Sequence, residues 1–213
     1  MKVLHTIQSY FLGLDLGKAN DAAVLTTTRR VVDVVQTDWR GNPHEKLREY
    51  QVCDIQRWPL GTSYVTIARG VVAHMARPEI KGCRIGVDYG GVGQATADIL
   101  REEGVQRCTW VTTTGGERVN WKGNTVTVPK RELVSTLLAL FHRQEIRTNP
   151  DLPFVDLLRQ EIGDFDLRIN ARTGHMGYEG SRGSHDDMVM SLALSVWIAE
   201  NRPFGGGTAM LDI

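Results

Sequence analysis

The sequence predicts an α/β protein with a mixed sheet, antiparallel in its first three strands and parallel thereafter, with helices on both faces and one extra β-hairpin. Three observations lead there. Strand-like apolar runs follow one another up to Trp58 with no regular helical pattern between them, the mark of an antiparallel start. From Ser63 onward helical and strand patterns alternate, as parallel strands joined by crossovers require. The chain has 213 residues and shows no internal repeat, low-complexity segment or linker, so one domain spanning residues 1–213 is expected, large enough to bury a full core.

In order, residues 1–9 read as a short lead-in. The first strand is Phe11-Leu12-Gly13-Leu14, which ends on Asp15. After Leu16-Gly17, the polar turn Lys18-Ala19-Asn20-Asp21 leads to Ala22 through Leu25 with Thr26 to Thr28 behind, a hairpin carrying an acid near its tip. Arg29-Arg30 reads as a turn into a strand from Val31 to Gln36. Thr37 to Glu49 is polar around Gly41-Asn42-Pro43, a loop or a short irregular helix. Tyr50 to Trp58 is strand again, and Pro59 ends it.

Ser63 caps a helix to about Ala76, with Val65, Ala68, Val72 and Met75 on one face and Pro78 beyond its end. A strand from Cys83 to Val87 reaches Asp88 and the turn Tyr89-Gly90-Gly91-Val92-Gly93. A helix from there to Glu103 stops at Gly104, and Val105 to Thr114 is the next strand. Asn120-Trp121-Lys122-Gly123-Asn124 between β-rich flanks reads as a protruding hairpin. Pro129 opens a helix to about Arg143 with Leu133, Leu137, Leu140 and Phe141 inward. Ile146-Arg147 is a short strand, Asp151 to Ile162 a helix and Asp166 to Ala171 a strand. A Gly-rich loop, Thr173 to Ser184, delivers the chain to His185-Asp186-Asp187 and a helix from Met188 to Ile198. Pro203 and Gly205 to Gly207 close it and leave 203–213 as a loose tail.

Three acidic positions stand out from this scaffold. Asp15 and Asp88 each end an apolar strand, and Asp186-Asp187 opens a helix. An ionised carboxylate at the end of a buried strand is costly unless it is exposed, paired or bound to a cation, and Lys18 is the nearby partner for Asp15. Acids recurring at two strand ends and a helix start are what a divalent-metal site needs. Composition narrows the rest. Net charge is zero, so any basic surface for nucleic acid must be local. Cys53, Cys83 and Cys108 are odd in number, lack CxxC spacing and lie in apolar segments, which points to buried thiols in a reducing compartment. No apolar run approaches a membrane span, and no signal-peptide pattern opens the chain, so a soluble intracellular protein without membrane partners is expected.

These residues carry a resemblance. Gly13-Leu14-Asp15-Leu16-Gly17, Val87-Asp88-Tyr89-Gly90-Gly91, Val128-Pro129-Lys130-Arg131-Glu132-Leu133, Tyr178-Glu179, and His185-Asp186-Asp187 followed by Ser191-Leu192-Ala193-Leu194 appear in an order that resembles the nuclease domain of the large terminase subunit of tailed bacteriophages. That family belongs to the ribonuclease H and RuvC resolvase fold group, and the resemblance covers nearly the whole chain. A complete large terminase also has an ATPase module. No G-x-x-x-x-G-K-[ST] loop is present here, so the sequence is expected to be an isolated nuclease domain.

The resemblance implies metal-dependent endonuclease action on double-stranded DNA, cutting concatemeric viral genomes during packaging in the host-cell cytoplasm. Two Mg²⁺ or Mn²⁺ ions on carboxylates are the implied cofactors, Asp15 bridging them, Asp88 joining, and Asp186 and Asp187 completing the site, with the division of labour in that pair open. His185 is either an outer partner or a structural hydrogen-bonder, and Lys18 either a phosphate contact or a solvated charge. Lys130 and Arg131 oppose the dipole of the helix they start, which hints at an anion. Lys122, Arg172 and Arg182, with Arg118, lie in stretches expected to rim the site, as DNA contacts or as ordinary surface. Trp121 either wedges against DNA or packs on the domain. Implied partners of a full-length parent are the portal, the small terminase subunit and a ring of identical subunits. Two other readings are an actin-like or sugar-kinase-like nucleotide-binding domain, suggested by Asp15-Leu16-Gly17 and Asp88-Tyr89-Gly90-Gly91, and a Holliday-junction resolvase of the same fold.

Overall fold

The computed structural model describes residues 2–17, 21–36, 43–90, 93–170, 186–201 and 209–212. β1 (Lys2–Asp15) and β2 (Ala23–Gln36) form one long antiparallel pair, from Lys2 opposite Gln36 to Asp15 opposite Val24. β3 (Pro43–Trp58) runs antiparallel to β2 over its whole length. Three sequence expectations change here. Residues 2–9 are the first half of β1 rather than a lead-in, residues 43–49 belong to β3 rather than to a loop, and Arg29-Arg30 lies inside β2. Arg29 can stay in a strand because neighbours satisfy it, donating to Gln51 of β3 (2.9 Å) and to Gln8 of β1 (3.4 Å), while Arg30 pairs with Glu45 of β3 at 3.6 Å.

α1 (Tyr64–Met75) begins where expected, with the Ser63 hydroxyl accepting from the Thr66 amide at 3.2 Å. Its buried face is Ile67, Ala68, Val71 and His74, rotated from the expected one, which shared only Ala68. The cause is a polar residue in the buried stripe. His74 meets the Thr27 hydroxyl at 2.7 Å and the Gln56 amide at 2.8 Å, so it is satisfied while buried.

β4 (Arg84–Asp88), α2 (Gly93–Glu102) and β5 (Cys108–Thr114) supply the parallel half, β4 beside β1 and β5 beside β4. The hairpin of β6 (Asn120–Lys122) and β7 (Thr125–Pro129) turns at Gly123, whose φ of +64° suits glycine. It is built into the sheet: β7 pairs in parallel with β5, leaving β6 at the edge. α3 (Lys130–His142) follows, then β8 (Ile146–Thr148) on the far edge beside β3.

α4 (Val155–Asn170) replaces the expected helix over 151–162 and strand over 166–171. Phe165, Leu167 and Ile169 alternate like a strand, but extending a helix already nucleated fixes few dihedrals per bond gained, and the helix runs on. α5 (Asp187–Asn201) comes next, and β9 (Ala209–Asp212), within the expected loose tail, pairs with the first half of β1. The strand order is β6-β7-β5-β4-β1-β2-β3-β8, with β9 beside β1.

Strand alternation sorts the core into two layers. Leu12, Leu14, Leu25 and Ile85 pack with Ile67, Ala68 and Val71 of α1 and Leu100 of α2. Phe11, Val24, Val111 and Val126 pack with Leu137 of α3, Leu158 of α4 and most of α5. α5 is buried from Asp187 to Ala199, a central helix without a wet face. Among the described residues no helix is long and apolar enough to cross a membrane.

Candidate active site

The sequence carries G-x-D twice, as Gly13-Leu14-Asp15 and Gly86-Val87-Asp88, and the parallel register of β1 and β4 sets Gly13 directly beside Gly86. With a two-residue period, each aspartate faces the same side of the sheet as its glycine. That side is where α5 lies. A Cβ built on Gly13 would stand 1.9 Å from the Ser191 carbonyl oxygen and 2.6 Å from the Ser195 amide, and one on Gly86 would stand 2.7 Å from Ile198 Cγ1. Only glycine lets the helix approach this closely. Ser191 fastens the contact, its hydroxyl 2.8 Å from the Gly13 carbonyl and 2.8 Å from Thr26 Oγ1, while Ser195 Oγ accepts from Thr28 at 3.0 Å.

The same contact sets the position of the helix start. Asp187 lies four residues before Ser191, about 6 Å along a helix, and Asp15 lies two residues beyond Gly13, about 7 Å along a strand. The two steps match. Asp186 and Asp187 therefore meet Asp15 and Asp88 at the carboxyl ends of β1 and β4, in a cleft of about 480 Å³ that Asp21 also lines. Thr112 and Thr113, where β5 ends, and Lys130, where α3 begins, complete its polar wall.

The electrostatics follow from this crowding. Burial, then the charges of Asp88, Asp187 and Asp186, push the Asp15 carboxyl well above the usual aspartate range, with Lys130 opposing them. Asp88 is oriented by the Gly90 amide, which donates to Oδ1 at 2.8 Å, and Lys130 Nζ donates to Asp186 Oδ2 at 2.7 Å. Behind the cleft, Glu161 of α4 is buried and accepts from the Met188 and Val189 amides at 3.0 and 3.3 Å. Burial is the largest cause moving its carboxyl from the usual glutamate range up to about 7, and the Asp187 and Asp186 charges add to it.

The structure thus brings Asp15, Asp88, Asp186, Asp187 and Lys130 into one cleft. Arg131 instead faces Glu117 at 4.0 Å, and Lys122 is exposed on the edge strand β6; neither lines the cleft. His185, Lys18, Arg172 and Arg182 lie outside the described residues, as does the Gly-rich loop over 173–184. Trp121 stacks on Trp197 with ring centroids 5.6 Å apart, which favours packing on the domain over a free wedge. Cys53, Cys83 and Cys108 are unbridged thiols, and burial pushes Cys83 and Cys108 up to about 12. Sequence reasoning missed Glu161, Thr112 and Thr113. A glutamate in an amphipathic helix and threonines at a strand end carry no signal of their own.

Among the described residues no group of three or more histidine, cysteine, aspartate or glutamate side chains is already arranged to hold a metal ion. The donor set nonetheless suits a hard divalent cation: carboxylate and hydroxyl oxygens dominate it, and its acids repel one another.

Three antiparallel strands followed by parallel ones, with a helix laid across the central pair, define a ribonuclease H-like fold. The large terminase nuclease from thermophilic phage G20c has this fold, with a TM-score of 0.51 and 19% identity over 88% of this chain and 81% of that one. The nuclease domain of g2p, the large terminase of bacteriophage SPP1 with bound Mn, gives 0.49 at 14% identity over 91% and 86%. The human cytomegalovirus terminase nuclease domain gives 0.45 at 14% over 91% and 84%. The resemblance drawn from the sequence is borne out in the fold. No family model and no curated protein sequence matches the chain.

Proposed function

We propose that this chain is a divalent-cation-dependent endonuclease that hydrolyses phosphodiester bonds of double-stranded DNA, and that it cuts concatemeric viral genomes during packaging. One observation carries the reading: four carboxylates from positions 15, 88, 186 and 187 converge on one open cleft, where burial first and then its acidic neighbours hold the Asp15 carboxyl above the usual range. Mutual repulsion of this kind disfavours the native state unless positive charge enters, which is how ion-binding clusters are built. The nuclease role extends to this chain what the G20c protein is named for, a large terminase nuclease, and the packaging role extends the resemblance drawn from the sequence.

Asp15, Asp88 and one or both of Asp186 and Asp187 would hold Mg²⁺ or Mn²⁺, two ions in this reading. Such ions supply an activated water and neutralise the leaving oxygen in an in-line displacement. The chain's own groups do the rest. The Gly90 amide fixes the carboxylate plane of Asp88, and α5 presents its pair of acids from a rigid, fully packed element. Lys130 holds Asp186 in the cleft wall, where its ammonium would also meet a phosphate oxygen. Burial and the neighbouring acids raise Asp15 toward its protonated form, and cationic charge in the cleft would oppose that.

With zero net charge, DNA binding by this chain is weak and salt-sensitive, and retention on the genome falls to partners such as the portal, the small subunit or a ring of copies. Incubation with plasmid tests the proposal. Cleavage in Mn²⁺ that stops in chelator and in Asp88→Asn is the expected outcome, and cleavage surviving both defeats it. Comparing branched with linear duplexes separates it from a resolvase.

A further inference from the structure

We infer that Glu161 is the residue that holds Asp186 and Asp187 in position, by capping α5 from the neighbouring helix α4; this rests on the metal-nuclease reading above. A helix leaves its first amides without partners inside the helix, and an acid at the start normally folds back to serve them. α5 opens on two acids in succession, Asp186 and Asp187, so a local cap was available. The structure does something else. One oxygen of Asp186 is taken by Lys130 at 2.7 Å, and Asp187 lines the cleft.

The amides of Met188 and Val189 are served instead by one oxygen of Glu161, at 3.0 and 3.3 Å, from 27 and 28 positions away in the sequence. Glu161 is 7% exposed, so water does not compete for those amides. Its oxygen fixes the height and rotation of the first turn of α5, one residue beyond the pair of acids. Supplying the cap from α4 leaves both aspartates turned toward the cleft. Glu161 is thus a positioning residue: it acts through the backbone of α5 and touches no reacting atom.

Three variants of the whole chain test this, with Mn²⁺ as the probe. Calorimetric titration gives affinity, and hydrogen exchange at the Met188 and Val189 amides reports the cap. Glu161→Gln keeps an acceptor oxygen in place and is expected to bind Mn²⁺ within about threefold of wild type, whereas Glu161→Ala is expected to lose about tenfold or more, as removal of an outer-shell support does. Glu161→Asp, one methylene shorter, keeps the charge but withdraws the oxygen, and is expected to weaken Mn²⁺ binding even if the alanine variant fails to fold. Faster amide exchange should accompany each loss. A role in stability alone would lower the melting temperature and leave the Mn²⁺ affinity of the folded protein unchanged, and that result overturns the inference. So does a glutamine variant as impaired as the aspartate one. Wild-type protein that binds no Mn²⁺ overturns the metal-nuclease reading itself, a distinguishable failure.

Discussion

Gly13→Ala should displace α5 and with it the acids it carries. The added Cβ would stand 1.9 Å from the Ser191 carbonyl oxygen where ordinary contact begins at 3.4 Å, so β1 and α5 must separate by about 1.5 Å. Both obstacles are backbone, and α5 is packed on all sides, so no side chain can turn aside. Overpacking of this sort costs about 1–3 kcal/mol, and separation also breaks the 2.8 Å bond from Ser191 to the Gly13 carbonyl, worth about 1 kcal/mol. The expected loss is about 2–4 kcal/mol, a large part of the roughly 5–15 kcal/mol typical of a domain. A misplacement near 1 Å also reduces chemistry about a hundredfold. Urea unfolding followed by tryptophan fluorescence reads the first effect, and plasmid cleavage at a temperature where the variant is folded reads the second. Gly163→Ala in α4 is the control: nothing lies within 4 Å of its new Cβ, so it should be neutral or stabilise by up to about 1 kcal/mol. If Gly13→Ala lost less than about 1 kcal/mol and cut DNA like wild type, the close approach would not be what positions the acids.

Other outcomes follow from the same geometry. Glu161 at about 7 and the raised Asp15 bind protons more tightly folded than unfolded, so their contribution is intact below the unfolded values, lost as pH rises through the folded ones, and unfavourable above them. At ~1.4 kcal/mol per pH unit, the shift of Glu161 from 4.5 to about 7 corresponds to at most about 3–4 kcal/mol across that window. Thermal scans should therefore show Mn²⁺ raising the melting temperature more at pH 8 than at pH 5; an equal rise at both would refute this. Lys130→Ala removes the counter-charge from Asp186, in a pair about one-quarter exposed, and should cost about 1 kcal/mol in chelator. That deficit should shrink in saturating Mn²⁺, and one that grew would contradict the arrangement. Trp121→Ala should lose the stack on Trp197 and about 2 kcal/mol while the folded protein cuts at the wild-type rate, whereas a slowed rate at full stability would restore the wedge.

Much of the fold was legible because strand ends and helix caps are written locally. Ser63, Pro129 and the turn at Gly123 mark boundaries that the structure keeps. What was hidden depended on partners distant in sequence. Arg29 stays in a strand because Gln8 and Gln51 flank it, and His74 turns inward because Thr27 and Gln56 meet it. The acids at 15, 88, 186 and 187 could be picked out singly as charges where charges are costly. Their meeting was expected from the recurrence of such acids and from the family resemblance, but what brings it about, Gly13 standing beside Gly86 under α5, could not be read. Glu161 was invisible for the same reason: its partners are main-chain amides of another helix.

The central claim is that acids far apart in the chain share bound cations. Crystals soaked in Mn²⁺ and measured at the manganese edge test it most directly. Anomalous peaks are expected in the cleft, about 2 Å from carboxylate oxygens of Asp15, Asp88 and Asp186 or Asp187. A cleft without a peak at saturating Mn²⁺, or ions held only by other residues, would contradict the account.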